Sequence, residues 1–313
     1  MVQTIASLSA IQYELGEFRN IDELDFLVND PEKLELFRSS GLLHYAESEL
    51  SLMELCSRAV TRTLDTATVD RKAIDFVLFV AENANTDFSL GIRQVNNLLT
   101  QLGLDHALPV SIGLSDCANI LTGIQMGVSL VAAKTARNVL LVCADRILRE
   151  PGKREMARQM SVLSDGAVSC VLSEPAAGDF DVGLITHHNK PSQWELWNTV
   201  SEYENIYSME KFKQLVTVGK RSLRQHGVQP KDIKKVITGN YRESISKMFI
   251  EITGFLPEQG YFDNIPRFGH TLAGDVLINL KDYADQAQLS PGEKIFTLVD
   301  SYSSCGSFLL VKT

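Results

Sequence analysis

The sequence predicts an α/β protein built from two similar halves, and three observations carry that prediction. Short runs rich in Val, Ile, Leu and Phe alternate with helix-length segments of periodic apolar residues. Several of these runs are continuously apolar, as expected for strands covered on both faces. The order of elements in the first part of the chain recurs in the second.

Taken in order, a helix at 49–64 leads into the strand IDFVLFV at 74–80, then a helix at 91–102 and a strand at 109–112. A helix at 119–135 follows, then the strands VLLVC at 139–143 and AVSCVL at 167–172. The second run has a helix at 209–226, the strand KVIT at 235–238, helices at 242–252 and 273–287, and strands at 295–299 and 308–311. Each run therefore goes from a long helix to a buried strand, a second helix, a loop that opens a further helix, and a strand. The recurrence is one of element order, without residue-by-residue repetition. It predicts pseudo-symmetric halves, 1–175 and 176–313, whose helix starts at Cys117 and His270 face one another near a pseudo-dyad.

Composition narrows the class of protein. The 313 residues are 44% hydrophobic and 22% charged, an ordinary globular balance. Lys and Arg number 30 against 39 Asp and Glu, a formal charge of −9, which argues against a broad nucleic-acid footprint. The N-terminus lacks the basic and apolar regions of a signal peptide. Lys134 closes the longest apolar stretch, 118–133, before it reaches membrane-spanning length. The expectation is a cytoplasmic protein with neither membrane nor nucleic acid as partner. Five scattered cysteines, Cys56, Cys117, Cys143, Cys170 and Cys305, contain no CxxC pair and predict neither a disulfide framework nor a metal site.

Two residues stand where chemistry is expected. Cys117 follows the polar turn Ser115-Asp116 and opens an apolar helix, with Ser115 and Asp116 as candidate N-caps. A thiol at the positive end of a helix macrodipole is favoured as the nucleophilic thiolate, and nearby backbone N–H groups can hold an oxyanion. Gly123 and Gly127 predict close approach of a neighbouring helix. A free cysteine is ordinarily a small core residue; Cys143 and Cys170, inside strands, are read so, whereas the polar turn tips Cys117 toward function. His270, in Arg267-Phe268-Gly269-His270-Thr271, fits a general base at a second helix start, although on spacing alone it reads first as a capping or surface histidine.

Four segments in this order and spacing resemble the ketoacyl synthase III family: Ser115-Asp116-Cys117-Ala118, Ser164-Asp165-Gly166-Ala167, Phe268-Gly269-His270-Thr271, and 305–311 (CGSFLLV). The resemblance covers nearly the whole chain. It implies a duplicated thiolase fold layered α-β-α-β-α, a dimer, and catalysis by cysteine, histidine and asparagine. The family cysteine matches Cys117. The family histidine falls in 238–242 (TGNYR), where Gly239 or, with a one-residue shift, Asn240 stands. The family asparagine matches His270, and the glycine-rich C-terminal loop has become 300–306 (DSYSSCG).

These departures imply an acyltransferase in which Cys117 carries the acyl group and His270 is the base, in specialised or fatty-acid-related biosynthesis. The alternatives are a carbon–carbon bond-forming ketosynthase using His270 with Asn240, and a non-catalytic subunit paired with an active paralogue. The resemblance further implies no resident cofactor: the substrate is an acyl-coenzyme A or a phosphopantetheine thioester on an acyl carrier protein, with a small-molecule acceptor. Arg149, Lys153, Arg154 and Arg158 are expected near the coenzyme A entrance, and Arg242 and Lys247 where the carrier protein docks; each fits a solvated charged face equally well. Trp194 and Trp197 are expected to line the substrate tunnel, the core or the dimer interface.

Overall fold

A computed structural model describes residues 2–81, 91–193 and 204–313. Trp194 and Trp197 lie outside the described residues. The first run comprises β1 (Thr4–Leu15), β2 (Glu17–Asn20), α1 (Asp25–Val28), α2 (Pro31–Ser39), β3 (His44–Glu47), α3 (Leu52–Thr66) and β4 (Ile74–Val80), then α4 (Ile92–Gln101), β5 (Leu108–Ile112), α5 (Asn119–Ala132), β6 (Asn138–Asp145) and β7 (Gly166–Ser173). The second comprises β8 (Phe180–Asn189), α6 (Glu204–His226), β9 (Lys235–Ile237), α7 (Glu243–Ile252) and α8 (Ile265–Phe268), then α9 (Asp275–Gln286), β10 (Lys294–Thr297), β11 (Val299–Asp300) and β12 (Ser304–Lys312).

Among the described residues ten strands form one sheet, ordered β5-β4-β6-β7-β1-β8-β12-β10-β9, with β11 beside β12. The antiparallel pair β1–β8 is its seam. Outward from the seam on one side come antiparallel β7, then β6, then the parallel strands β4 and β5. On the other side come antiparallel β12, then β10, then parallel β9. Where the first side has β5 beside β4, the second keeps a single parallel bridge between Val236 and Gly260. The recurrence in element order is therefore also a recurrence in strand pairing.

Every residue of β7, and all but the first of β6, is buried, which explains their unbroken apolar sequences. One covering layer is α3, which starts at a Ser51–Glu54 capping box and lays Leu52, Leu55, Cys56, Ala59, Val60 and Leu64 over β1, β6 and β7. Helix α6 covers β8 and β12. Between them lies α5, which contacts β4 and β6 of the first run and β8 and β12 of the second. It is consequently apolar on nearly every side; Ile120, Leu121 and Ile124 are each 0% exposed and contribute on the order of 1.5–3 kcal/mol apiece. Gly123 and Gly127 do allow close approach, but to strands rather than to a helix. A Cβ at 123 would lie 2.7 Å from Val80 and one at 127 would lie 2.4 Å from Leu172.

The sequence reading missed β1, β8 and the β2–β3 ribbon, for a local reason in the first case. The register of β1 shifts between Ser9 and Gln12, where Ala10 has a φ of 53°, so its apolar alternation is broken by a bulge. The segment expected as one strand at 295–299 is two, β10 and β11, separated by Leu298. Among the described residues no helix is long and apolar enough to cross a membrane.

Candidate active site

The thiol is placed by an irregular turn. After β5 the chain passes through Leu114 and Asp116 with φ of 75° and 49°, then through a 3-10 turn, Asp116–Ala118, into α5. Left-handed backbone at two non-glycine residues costs on the order of 1–3 kcal/mol each and needs support. Asn119 supplies it, accepting a hydrogen bond from Ser115 N at 2.8 Å and donating to Ala81 O at 2.9 Å. The expected caps are thus corrected: neither Ser115 nor Asp116 caps the helix with its side chain, and Asn119 locks the turn instead.

His270 approaches from the other run. Gly269 has a φ of 64°, and a Cβ there would lie 2.7 Å from Val162 O, so only glycine fits. His270 N donates to Val162 O and Ser164 N donates to His270 O, each at 2.8 Å. The Ser164-Asp165 segment thereby holds the histidine backbone. Cys117 Sγ and His270 Nε2 are 3.3 Å apart, bringing together residues 153 positions apart in the chain.

The other imidazole nitrogen, Nδ1, is bonded to Asp275 Oδ2. That oxygen also accepts from Asn240 N at 2.6 Å, while Oδ1 accepts from Thr271 N and Thr271 Oγ1, both at 2.6 Å. Four donors compensate a carboxylate that is only 1% exposed. A carboxylate on Nδ1 fixes the proton there, so the Nε2 lone pair faces the thiol. The arrangement is a nucleophile, a base and an orienting acid in line.

Asp275 was missed by the sequence reading. In sequence it is an ordinary acid in a first helical turn; only the structure shows its neighbours Leu272, Ala273, Val276 and Leu277 all buried. Tyr241 was also missed; its ring centroid lies 5.2 Å from that of His270 and its hydroxyl donates to Asp300 O at 3.1 Å. With Met156, Met160, Asp300, Ser301 and Tyr302 it walls a narrow cleft of about 10 Å³ beside Cys117. Met160 and Asp300 are shared with a larger outer cavity of about 170 Å³ lined by Arg158, Phe212, Ile245 and Met248. Burial pushes the Asp300 carboxyl above the usual carboxylate range, against the opposing pull of Lys211.

The remaining expected site residues divide. Asn240 contributes its backbone N–H to Asp275, but its side-chain oxygen accepts from Asn279 Nδ2 at 2.8 Å. Arg154 is turned inward: its guanidinium is 8% exposed and forks onto Asp165 at 2.9 and 3.1 Å, so it braces the Ser164-Asp165 segment. Arg149 pairs with Glu49 at 2.9 Å and Lys153 with Glu150 at 3.8 Å. Arg158 is on the outer cavity. Arg242 is half-buried at the start of α7, and desolvation draws its guanidinium below its ordinary range. Lys247, one turn on, pairs with Glu243 at 2.6 Å. Among the described residues no cluster of three or more His, Cys, Asp or Glu is arranged to hold a metal ion.

Comparison with known proteins agrees with this architecture. The family described as 3-oxoacyl-[acyl-carrier-protein] synthase III, C-terminal, matches residues 223–299. A β-ketoacyl-[acyl-carrier-protein] synthase III of Microcystis aeruginosa is 23% identical over 309 residues, covering 90% of this chain and 89% of that one. The solved structure of the acyltransferase ChlB3 superposes with a TM-score of 0.85 at 17% identity, covering 98% of each chain. The 3-oxoacyl-(acyl carrier protein) synthase III of Pseudomonas aeruginosa gives 0.81 at 19% identity, over 99% of this chain and 98% of the other. On sheet, central helices and these likenesses together, the chain has the fold of the solved ketoacyl synthase III structures, and its 223–299 segment matches the C-terminal model of that family.

Proposed function

We propose that this member of a superfamily of acyl-transfer and condensing enzymes is an acyltransferase, which takes an acyl group from a coenzyme A or carrier-protein thioester onto Cys117 and passes it to a small-molecule acceptor. One observation carries the reading: His270 bridges the Cys117 thiol and the Asp275 carboxylate, as a general base for sulfur requires.

In the first half-reaction His270 Nε2 takes the thiol proton while Sγ attacks the thioester carbonyl. Collapse of the tetrahedral adduct breaks the donor C–S bond, and the leaving thiolate takes the proton from His270. In the second, an acceptor hydroxyl or amine gives its proton to Nε2 as it attacks the acyl carbon. The bond to Cys117 then breaks and the proton returns to its sulfur. Asp275 holds the proton of Nδ1 and stabilises the imidazolium formed in each step. Neither half-reaction needs the second side-chain donor that a decarboxylating condensation uses, which fits Gly239 and Asn240 standing where the resemblance expects a histidine. The proposal includes a cytoplasmic homodimer, with a paralogue as the alternative partner, and no resident cofactor.

The test is the intact mass of the protein after incubation with a panel of acyl-coenzyme A and acyl-carrier-protein thioesters. Wild type gains one acyl group, Cys117→Ala gains none, and His270→Ala both loads and transfers slowly. Acylation of Cys117→Ala overturns the nucleophile. No loading of wild type from either donor class overturns the acyltransferase reading and favours the non-catalytic subunit.

A further inference from the structure

The wall of the Cys117 cleft is a hairpin tip between β11 and β12, in which Asp300 pairs with Cys305 and Ser301 N donates to Ser304 O at 2.9 Å. What holds the four polar residues of this tip, Ser301, Tyr302, Ser303 and Ser304, beside the Cys117 thiol? The answer comes from α6. Lys211 is only 3% exposed, and its ammonium lies 2.7 Å from Asp300 Oδ1. It also donates to Ser301 O, and to Ser304 O at 3.3 Å.

The ammonium thus faces three oxygens of one turn, two carbonyls by hydrogen bonds and Asp300 Oδ1 as an ion pair. Two of them are carbonyls at the turn's first and last positions, so the cation closes it from outside as a ligand closes a chelate. The tip touches the reactive turn from the other side, where Ser301 Oγ donates to Asp116 Oδ2 at 3.4 Å, one residue before the nucleophile. Tyr241, whose ring lies against His270, donates to the carbonyl of Asp300 itself. The tip therefore touches neighbours of both the nucleophile and the base. A buried ion pair brings little net stability over an apolar pair of like volume. What this pair supplies is geometry.

We propose that Lys211 is a positioning residue for acyl transfer, its buried ammonium clamping the 300–304 hairpin tip into the wall against which a thioester is bound at Cys117. The inference rests on the acyltransferase reading for its catalytic consequence, though not for the clamp. Removing Lys211 alone leaves Asp300 as an unpaired buried charge, so the informative variant is the double substitution Lys211→Met with Asp300→Asn, alongside Lys211→Arg.

Two rates separate positioning from general damage. Alkylation of Cys117 by iodoacetamide needs only a competent thiol, whereas acyl loading needs the wall. In the double variant, loading should fall by about tenfold or more while alkylation stays within about threefold of wild type. Lys211→Arg, which restores donors to the turn, should recover most of the loading. Loading within threefold of wild type in the double variant, or loss of both rates together, overturns the proposal. If wild type itself accepts no acyl group, the acyltransferase reading fails separately. The clamp is then judged by amide hydrogen exchange at 301–304: faster exchange in the double variant supports it, and unchanged exchange overturns it.

Discussion

Asp275→Asn is the substitution whose consequences can be worked most fully. The carboxylate accepts four hydrogen bonds, two on each oxygen. An asparagine has one carbonyl oxygen and one amino group for the same positions. With its oxygen toward His270 it keeps that bond and the one from Asn240 N, but its amino group meets Thr271 N. With its oxygen toward Thr271 it keeps that pair, but the amino group meets Asn240 N and forces the proton of His270 onto Nε2. Either way one buried backbone N–H loses its acceptor, at about 1–3 kcal/mol. Either way the imidazolium formed during transfer loses its counter-charge, and in the second orientation the free base no longer faces the thiol. The loss in transfer rate should be on the order of 10³–10⁴-fold, as for other triads stripped of their acid. The assay is single-turnover transfer from pre-acylated protein, with urea unfolding as the control for the fold. A variant that unfolds normally and transfers within tenfold of wild type would refute the role given to Asp275.

Three further outcomes follow from the same structure. Iodoacetamide should label Cys117 ahead of the other cysteines, because burial pushes the thiols of Cys56, Cys170 and Cys305 up to about 12 and that of Cys143 well above its ordinary value; equal labelling of Cys305 in a peptide mass map would contradict this. Gly269→Ala should cost about 2 kcal/mol or more in urea, since it adds a positive-φ strain to a contact with Val162 O, and it should slow transfer by displacing His270. Burial holds His226, and partial burial beside Lys211 and Lys190 holds His188, below the ordinary histidine value, so the stability tied to their neutral forms is present above that value and is lost as the pH falls from it toward the depressed ones. The urea midpoint should therefore drop between pH 7.5 and 5.5, and a midpoint equal at both would count against it.

How much of this was legible in the sequence depends on how local each signal is. Strands buried on both faces, such as β4 and β6, announce themselves by unbroken apolar runs, and their helices by period. Strand β1 does not, because a bulge at Ala10 resets its alternation although the strand lies at the centre of the sheet. At the site, Cys117 is marked by the polar turn before its helix, whereas His270 on spacing alone reads first as a capping or surface histidine. Asp275 and Lys211 have chemistry that only distance reveals, since an acid in a first helical turn and a lysine on a long helix are ordinary in sequence. Arg154 shows the converse: next to other basic residues it reads as an exposed anion binder, yet its partner Asp165 lies eleven positions away on the next turn of chain.

The pairing of Cys117 with His270 makes acyl transfer a gauge of how two separately anchored helix starts are held together. One residue is anchored through α5 and β5, the other through α9 and the 162–164 backbone, and their 3.3 Å contact has no covalent support shorter than 153 residues. A shift of an ångström between these anchors would leave every strand and helix intact, and spectroscopic measures of folding unchanged, while parting sulfur from nitrogen. If the proposed transfer holds, turnover should therefore fade at milder heat or denaturant than ellipticity does, and substitutions that tighten these anchors should raise the temperature to which transfer persists before they raise the temperature at which the protein melts.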